Sequence, residues 1–175
     1  MSVMAAAGVL TLSGCFFREP EDLYQSPEQS ADYLSLTQTI RNVKDSLAQE
    51  YGVEVEDVSV MSGDNTALIQ LQDLDRDGER ETAVTFFRVS EAEKPLKIYF
   101  FTRTAEDTYT VSAMVEGNGT AIYRVDYVDL NGSGCKEVVV SWQMSTGVYL
   151  LGAYSLEEAM VRSLQYAASA PAGGA

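Results

Sequence analysis

The chain contains no histidine. That absence removes the commonest general base, the Ser-His and Cys-His nucleophile pairs, and the commonest ligand of catalytic zinc. Basic residues are scarce too: twelve Lys and Arg stand against 26 Asp and Glu, the formal net charge is −14, and no basic cluster occurs. Such a field opposes a phosphate backbone or an anionic lipid surface, so nucleic acid is not an expected partner. The apolar stretch at the amino terminus, Val3 to Leu12, is far short of the ~20 residues of a membrane-spanning helix. What is present is ordinary for a globular chain. With 46% hydrophobic and 22% charged residues, 175 residues suffice for one domain with a real core.

The two cysteines sit in different settings. Cys15 follows Leu12-Ser13-Gly14, and this tetrad resembles the bacterial lipobox, in which a signal peptide is cut before a cysteine that carries a diacylglycerol. The uncharged run from Val3 to Leu12 has the length of a signal-peptide h-region, so residues 1–14 read as a lipoprotein signal peptide and Cys15 as the lipidated residue. Met1 to Met4 carry no Lys or Arg, which leaves an upstream start open. The mature protein is then expected at the extracytoplasmic face of the cell membrane, held by its lipid. Residues 15–25, with Pro20 and several acids but no apolar period, suit an extended tether.

Residues 26–52 read as an amphipathic helix. Ser26-Pro27-Glu28-Gln29 combines an N-cap, proline at the first helical position, a first-turn acid and a capping-box Gln. Tyr33, Leu36, Ile40, Val43, Leu47 and Tyr51 then recur at spacings of three and four, and Gly52 supplies a stop. Its polar face is not rich in Lys or Arg, which favours docking on the protein's own sheet over a membrane surface.

From Val53 onward the pattern changes to strands. Val53 to Val60, Ala67 to Gln72, Thr82 to Val89, Lys97 to Thr102, Thr108 to Val115, Ala121 to Val128, Glu137 to Trp142 and Val148 to Tyr154 are rich in β-branched and aromatic residues and bounded by turn clusters. Two acidic loops divide these strands. Asp73 and Asp129 open equivalent loops 129 − 73 = 56 residues apart, which makes the chain an internal repeat over 53–115 and 116–166. Continuing the repeat makes Met160 to Gln165 a last strand; a local capping box at Ser155 and Glu158 argues for a helix there instead. The repeat is the reading adopted. Residues 167–175, rich in Ala, Gly and Pro, read as a disordered tail.

The first loop, Asp73-Leu74-Asp75-Arg76-Asp77-Gly78-Glu79-Arg80-Glu81, offers carboxylates at its first, third, fifth and ninth positions and the Glu79 carbonyl at its seventh. Such an oxygen set suits a hard cation, here Ca²⁺, with Gly78 free to take a positive φ. It is not an EF-hand, because Val84 stands where a bidentate Glu belongs and the flanks are strands. The second loop places Asp129, Asn131, Ser133, Cys135 through its carbonyl, and Glu137 at the same positions with two formal charges. It reads either as a weaker ion site or as a turn that folds without an ion. Cys135 is either a small buried hydrophobe or a free thiol. Ten tyrosines and Trp142 could stack on sugars, but aromatics alternating in strands read first as core.

With the lipobox, the helix and the paired loops in place, the chain resembles uncharacterised lipoproteins of anaerobic Gram-positive bacteria with FG-GAP or VCBS repeats. Its loops are similar to the calcium loops of the integrin α-subunit propeller, with Glu in place of Asp at the ninth position. The resemblance implies a mainly β fold with one N-terminal helix and propeller-like antiparallel repeats, about two blades and therefore an incomplete ring. The expected function is a lipid-anchored, calcium-stabilised binding or scaffolding module, not an enzyme, that contacts a protein or glycan. The alternatives are a structural envelope component or an accessory subunit completed by a partner, with self-association through open strand edges, and, with least support, a metal-dependent hydrolase.

Overall fold

The computed structural model describes residues 31–104 and 108–156, and the backbone of 162–166. The expected signal peptide, Cys15, the tether, the Ser26 to Gln29 cap and the tail all lie outside the described residues. The described chain is mainly β, with one helix and two antiparallel sheets.

Helix α1 (Ala31–Tyr51) presents the expected stripe: Leu36 and Leu47 are buried, Ile40, Val43 and Tyr51 pack beside them, and Gly52 at φ 69° ends the helix with its N–H on the Ala48 carbonyl. Nine strands follow: β1 (Glu56–Asp57), β2 (Ile69–Gln72), β3 (Thr82–Arg88), β4 (Leu96–Arg103), β5 (Tyr109–Gly117), β6 (Ala121–Val128), β7 (Glu137–Gln143), β8 (Tyr149–Ser155) and β9 (Arg162–Tyr166). The meander β2-β3-β4-β5 forms one sheet, with β1 beside β2 on the same edge of β3, and β6-β7-β8-β9 forms the other. Each acidic loop joins the first and second strands of its meander. β9 pairs with β8 with Leu164 opposite Ala153, so the repeat and not the local capping signal decides this segment. A strand partner outweighs a capping preference of about 1 kcal/mol.

The strand expected over Val53 to Val60 shrinks to the two residues of β1. Val55, Val58 and Val60 are nonetheless buried, because this segment crosses between sheets. Val58 N–H bonds the Phe86 carbonyl in the first sheet, while Met61 and Ser62 N–H groups bond Ile122 and Tyr123 in the second.

Alternation sorts the side chains into three layers. From the first sheet, Val84, Phe86, Ile98 and Phe100 point into a core shared with Ile122, Val125, Val138, Val140 and Trp142 of the second. Ala83, Phe87 and Phe101 point the other way and are covered by α1. Trp142 is thus core and not a sugar platform, and its ring lies so close to Gly117 that a Cβ there would collide with it.

The shared core corrects one expectation. Val84 and Val140 are equivalent in the 56-residue repeat, as are Phe86 and Trp142, and all four lie in the same interface. Rotating one propeller blade onto the next brings unlike faces together. Here like faces meet, so the sheets are packed as a sandwich rather than as consecutive blades. Strand spacing alone does not distinguish the two arrangements, because both are built from the same four-stranded meander.

Lys97 is an exception to the apolar layers. It is 2% exposed on the helix-facing side of β4, with Nζ 2.5 Å from Glu116 Oε1 on β5 and 5.4 Å from the centre of the Tyr51 ring on α1. The paired carboxylate and the aromatic face allow this charge to be buried beneath α1.

Candidate metal centre

The first acidic loop bends back on itself through two positive-φ residues, Arg76 at 62° and Gly78 at 100°. The bend is held by the loop's own carboxylates. Asp73 Oδ2 accepts from Gly78 N–H at 3.1 Å, Asp75 Oδ1 from Asp77 N–H at 3.2 Å, and Asp77 Oδ1 from Glu79 N–H at 2.8 Å. These bonds turn the acids inward. One ligand oxygen from each of Asp73, Asp75, Asp77 and Glu81 lies within 4.8 Å of all the others. Oxygens bound to one Ca²⁺ at about 2.3–2.6 Å are at most about 5 Å apart, so the cluster has the size of a single-ion cage.

Two oxygens of the cluster lack protein partners. Asp73 Oδ1 and Glu81 Oε2 are buried atoms with no hydrogen-bond partner. Leaving a buried carboxylate oxygen unmet is costly, and four acids in so small a space repel one another. A divalent cation relieves both, so the residues fit the ion. A cavity of about 360 Å³, bordered by Asp75, Glu81, Leu74, Ser112 and Leu156, supplies a way in from the side. The Glu79 carboxylate points elsewhere, 2.7 Å from Arg103, so only its carbonyl remains for the expected ligand role.

The second loop gathers its residues differently. Glu137 is 2% exposed, and its two oxygens accept from Leu130 N–H at 2.7 Å and from Asn131 Nδ2 at 2.6 Å. Asp129 accepts from Gly132 and Gly134 N–H groups, Asn131 Oδ1 from Ser133 N–H, and Ser133 Oγ from Cys135 N–H. The loop therefore meets the oxygens of its acids largely with its own amide donors. Cys135 is a half-buried free thiol.

The two loops touch. Lys136 donates its backbone N–H to the Leu74 carbonyl and its Nζ to the Asp73 carbonyl, both at 2.7 Å, and Arg76 Nη1 lies 3.5 Å from Asp129 Oδ2. Lys136 and Arg76 are the functional neighbours that sequence reasoning missed. Nothing in a linear repeat says that one copy's lysine will hold the other's backbone. No protein-family model matches the chain, and neither a curated protein nor a solved structure does so significantly. The reading of the cluster therefore stands on its geometry.

Proposed function

We propose that the chain is a lipid-anchored, extracytoplasmic binding or scaffolding module whose first acidic loop is stapled by Ca²⁺. The observation that carries the ion is the pair of buried, unpartnered oxygens, Asp73 Oδ1 and Glu81 Oε2, inside a four-carboxylate cage. The anchor follows from the lipobox resemblance at Cys15, and the likeness to FG-GAP and VCBS lipoproteins supports a scaffold more than a catalyst. The role is binding: the chain has no histidine to serve as a general base beside the ion. The second loop acts as an ion-free counterpart, closed by Asn131 and its backbone donors.

The test is a thermal melt in chelator and in excess Ca²⁺, repeated for Asp77→Ala. Ca²⁺ at 100 times Kd adds about 2.7 kcal/mol, which for a chain of this length raises Tm by roughly 5–10 °C. The Asp77→Ala protein should lose that rise. An unchanged Tm in the parent protein would remove the ion from the proposal. Blocking lipoprotein processing in cells should shift the mass of the chain at Cys15, and a mass with no diacylglycerol would remove the anchor.

A further inference from the structure

We propose that the cavity between the two sheets, at the end of the sandwich away from the acidic loops, binds a small organic carboxylate that has a hydrocarbon body. The acidic loops precede β3 and β7, whereas Lys94 and Met144, which border the cavity, follow the ends of those strands. Its volume is about 370 Å³, within the usual range for small-molecule sites.

The cavity arises from a difference between the two repeats. In the first sheet Val84 stands opposite Phe100, which is fully buried and fills the space between the layers. The equivalent pair in the second sheet is Val140 and Gly152, so a hydrogen stands where the first sheet has a benzyl side chain. The Tyr154 hydroxyl takes part of that room and lies so close to Gly152 that a Cβ there would collide with it. Trp142, Met144 and Leu150 supply apolar walls. A hydrocarbon body gains from such walls without asking hydrogen bonds of them.

The polar lining selects the head group. Tyr154 Oη accepts from Trp142 Nε1 at 3.3 Å, which leaves its own proton for an acceptor. The side chains of Lys94 and Asn118 also line the cavity and make no hydrogen bond or ion pair among the described residues. Glu116, the one acid of the lining, is already matched by Lys97 Nζ at 2.5 Å. An ammonium, an amide and a phenol, each with a proton to donate, are therefore left unmet, and a carboxylate meets them through charge-assisted bonds. Glu91 and Glu93, in the same turn as Lys94, lie outside the lining. Charges beyond about 8 Å are largely screened at physiological ionic strength, so the lining groups outweigh the net charge of −14. The inference goes beyond the scaffold reading and stands without the ion or the anchor.

The test uses the full chain with octanoate and with 1-octanol, which has the same body without the charge. Trp142, the single tryptophan, lines the cavity and reports occupancy through its emission, while amide NMR shifts locate the ligand. Octanoate should bind saturably, with shifts centred on Asn118, Met144 and Gly152, and about tenfold more tightly than octanol. Lys94 is exposed, so Lys94→Gln keeps the fold; it should remove most of the preference for octanoate and leave octanol binding unchanged. Leu150→Asn, at a wall position that is 44% exposed, should weaken both ligands alike. Non-saturable binding, equal affinity for the two ligands, shifts centred elsewhere, or octanoate binding unchanged in both variants would overturn the proposal. Melting with and without Ca²⁺ separates this result from the fate of the loop.

Discussion

Asn131 donates its side-chain amide to Glu137 across 2.6 Å, whereas the equivalent pair in the first loop, Asp75 and Glu81, is two carboxylates with no proton to share. Nitrogen or oxygen at the third loop position decides whether the buried glutamate at the ninth finds a side-chain donor within its own loop. Asp75→Asn should therefore make the first loop less dependent on calcium: its Tm in chelator rises toward the parent's Tm in Ca²⁺, and the Ca²⁺ response shrinks. Asn131→Asp should do the reverse. In chelator it loses about 1–3 kcal/mol, the cost of leaving a buried Glu137 oxygen unmet, and it gains a Ca²⁺ response. Paired melts of the two variants, with and without chelator, check both halves.

The buried pair beneath α1 yields a second prediction. Glu116→Gln leaves the Lys97 ammonium with Tyr51 and without its carboxylate. Removing one partner of a buried pair costs about 3–5 kcal/mol, and because Glu116 is one-third exposed the expected loss is at or below about 3 kcal/mol. Lys97→Met combined with Glu116→Leu should restore most of that loss. Urea unfolding of the single and double variants measures the difference.

Strand positions were legible because β-branched and aromatic residues recur between strong turn clusters; β6, for example, spans the expected Ala121 to Val128. The α1 stripe was legible for the same reason at a different period. The gathering of Asp73, Asp75, Asp77 and Glu81 into one cluster was legible from spacing, since one glycine and three alternating aspartates leave few other foldings. The facing of the sheets was not. Whether Val84 meets Val140 or a residue of opposite parity is decided by how the chain crosses between sheets at Val58 to Ser62, and each strand's own pattern is satisfied either way. Nor was Lys97 legible as buried, because its partners Glu116 and Tyr51 come from β5 and α1. A lysine between Leu96 and Ile98 looks solvent-facing until both are in place.

Gly117 supports a third prediction. The Trp142 ring lies against its Cα, and Gly117→Ala would force that ring out of the core between the sheets. The cost expected of such overpacking is about 1–3 kcal/mol. Because Trp142 is the chain's single tryptophan, its fluorescence reports the movement directly. A red-shifted emission with lowered Tm is expected, and an unchanged spectrum would mean that the neighbouring backbone yields instead.

Alkaline stability should depend on Tyr127. Its hydroxyl donates to Gln70 Oε1 at 2.5 Å, and burial pushes its pKa well above the ordinary value of 10.0. Burial raises Tyr99, Tyr109 and Tyr154 as well. A raised folded-state pKa favours the protonated phenol in the native state. Below pH 10 both states are protonated and the contribution is fully present; above it the unfolded chain releases the proton first, so stability falls as pH rises. Each tyrosine held protonated in the native state while ionised in the unfolded one contributes up to about 1.4 kcal/mol per pH unit. Tyr127→Phe should therefore flatten the fall in urea midpoint between about pH 9.5 and 11 by roughly one proton's slope. At pH 7 it should cost about 1 kcal/mol through the orphaned Gln70. An alkaline slope identical to the parent's would mean that Tyr127 ionises as readily folded as unfolded, against the burial observed.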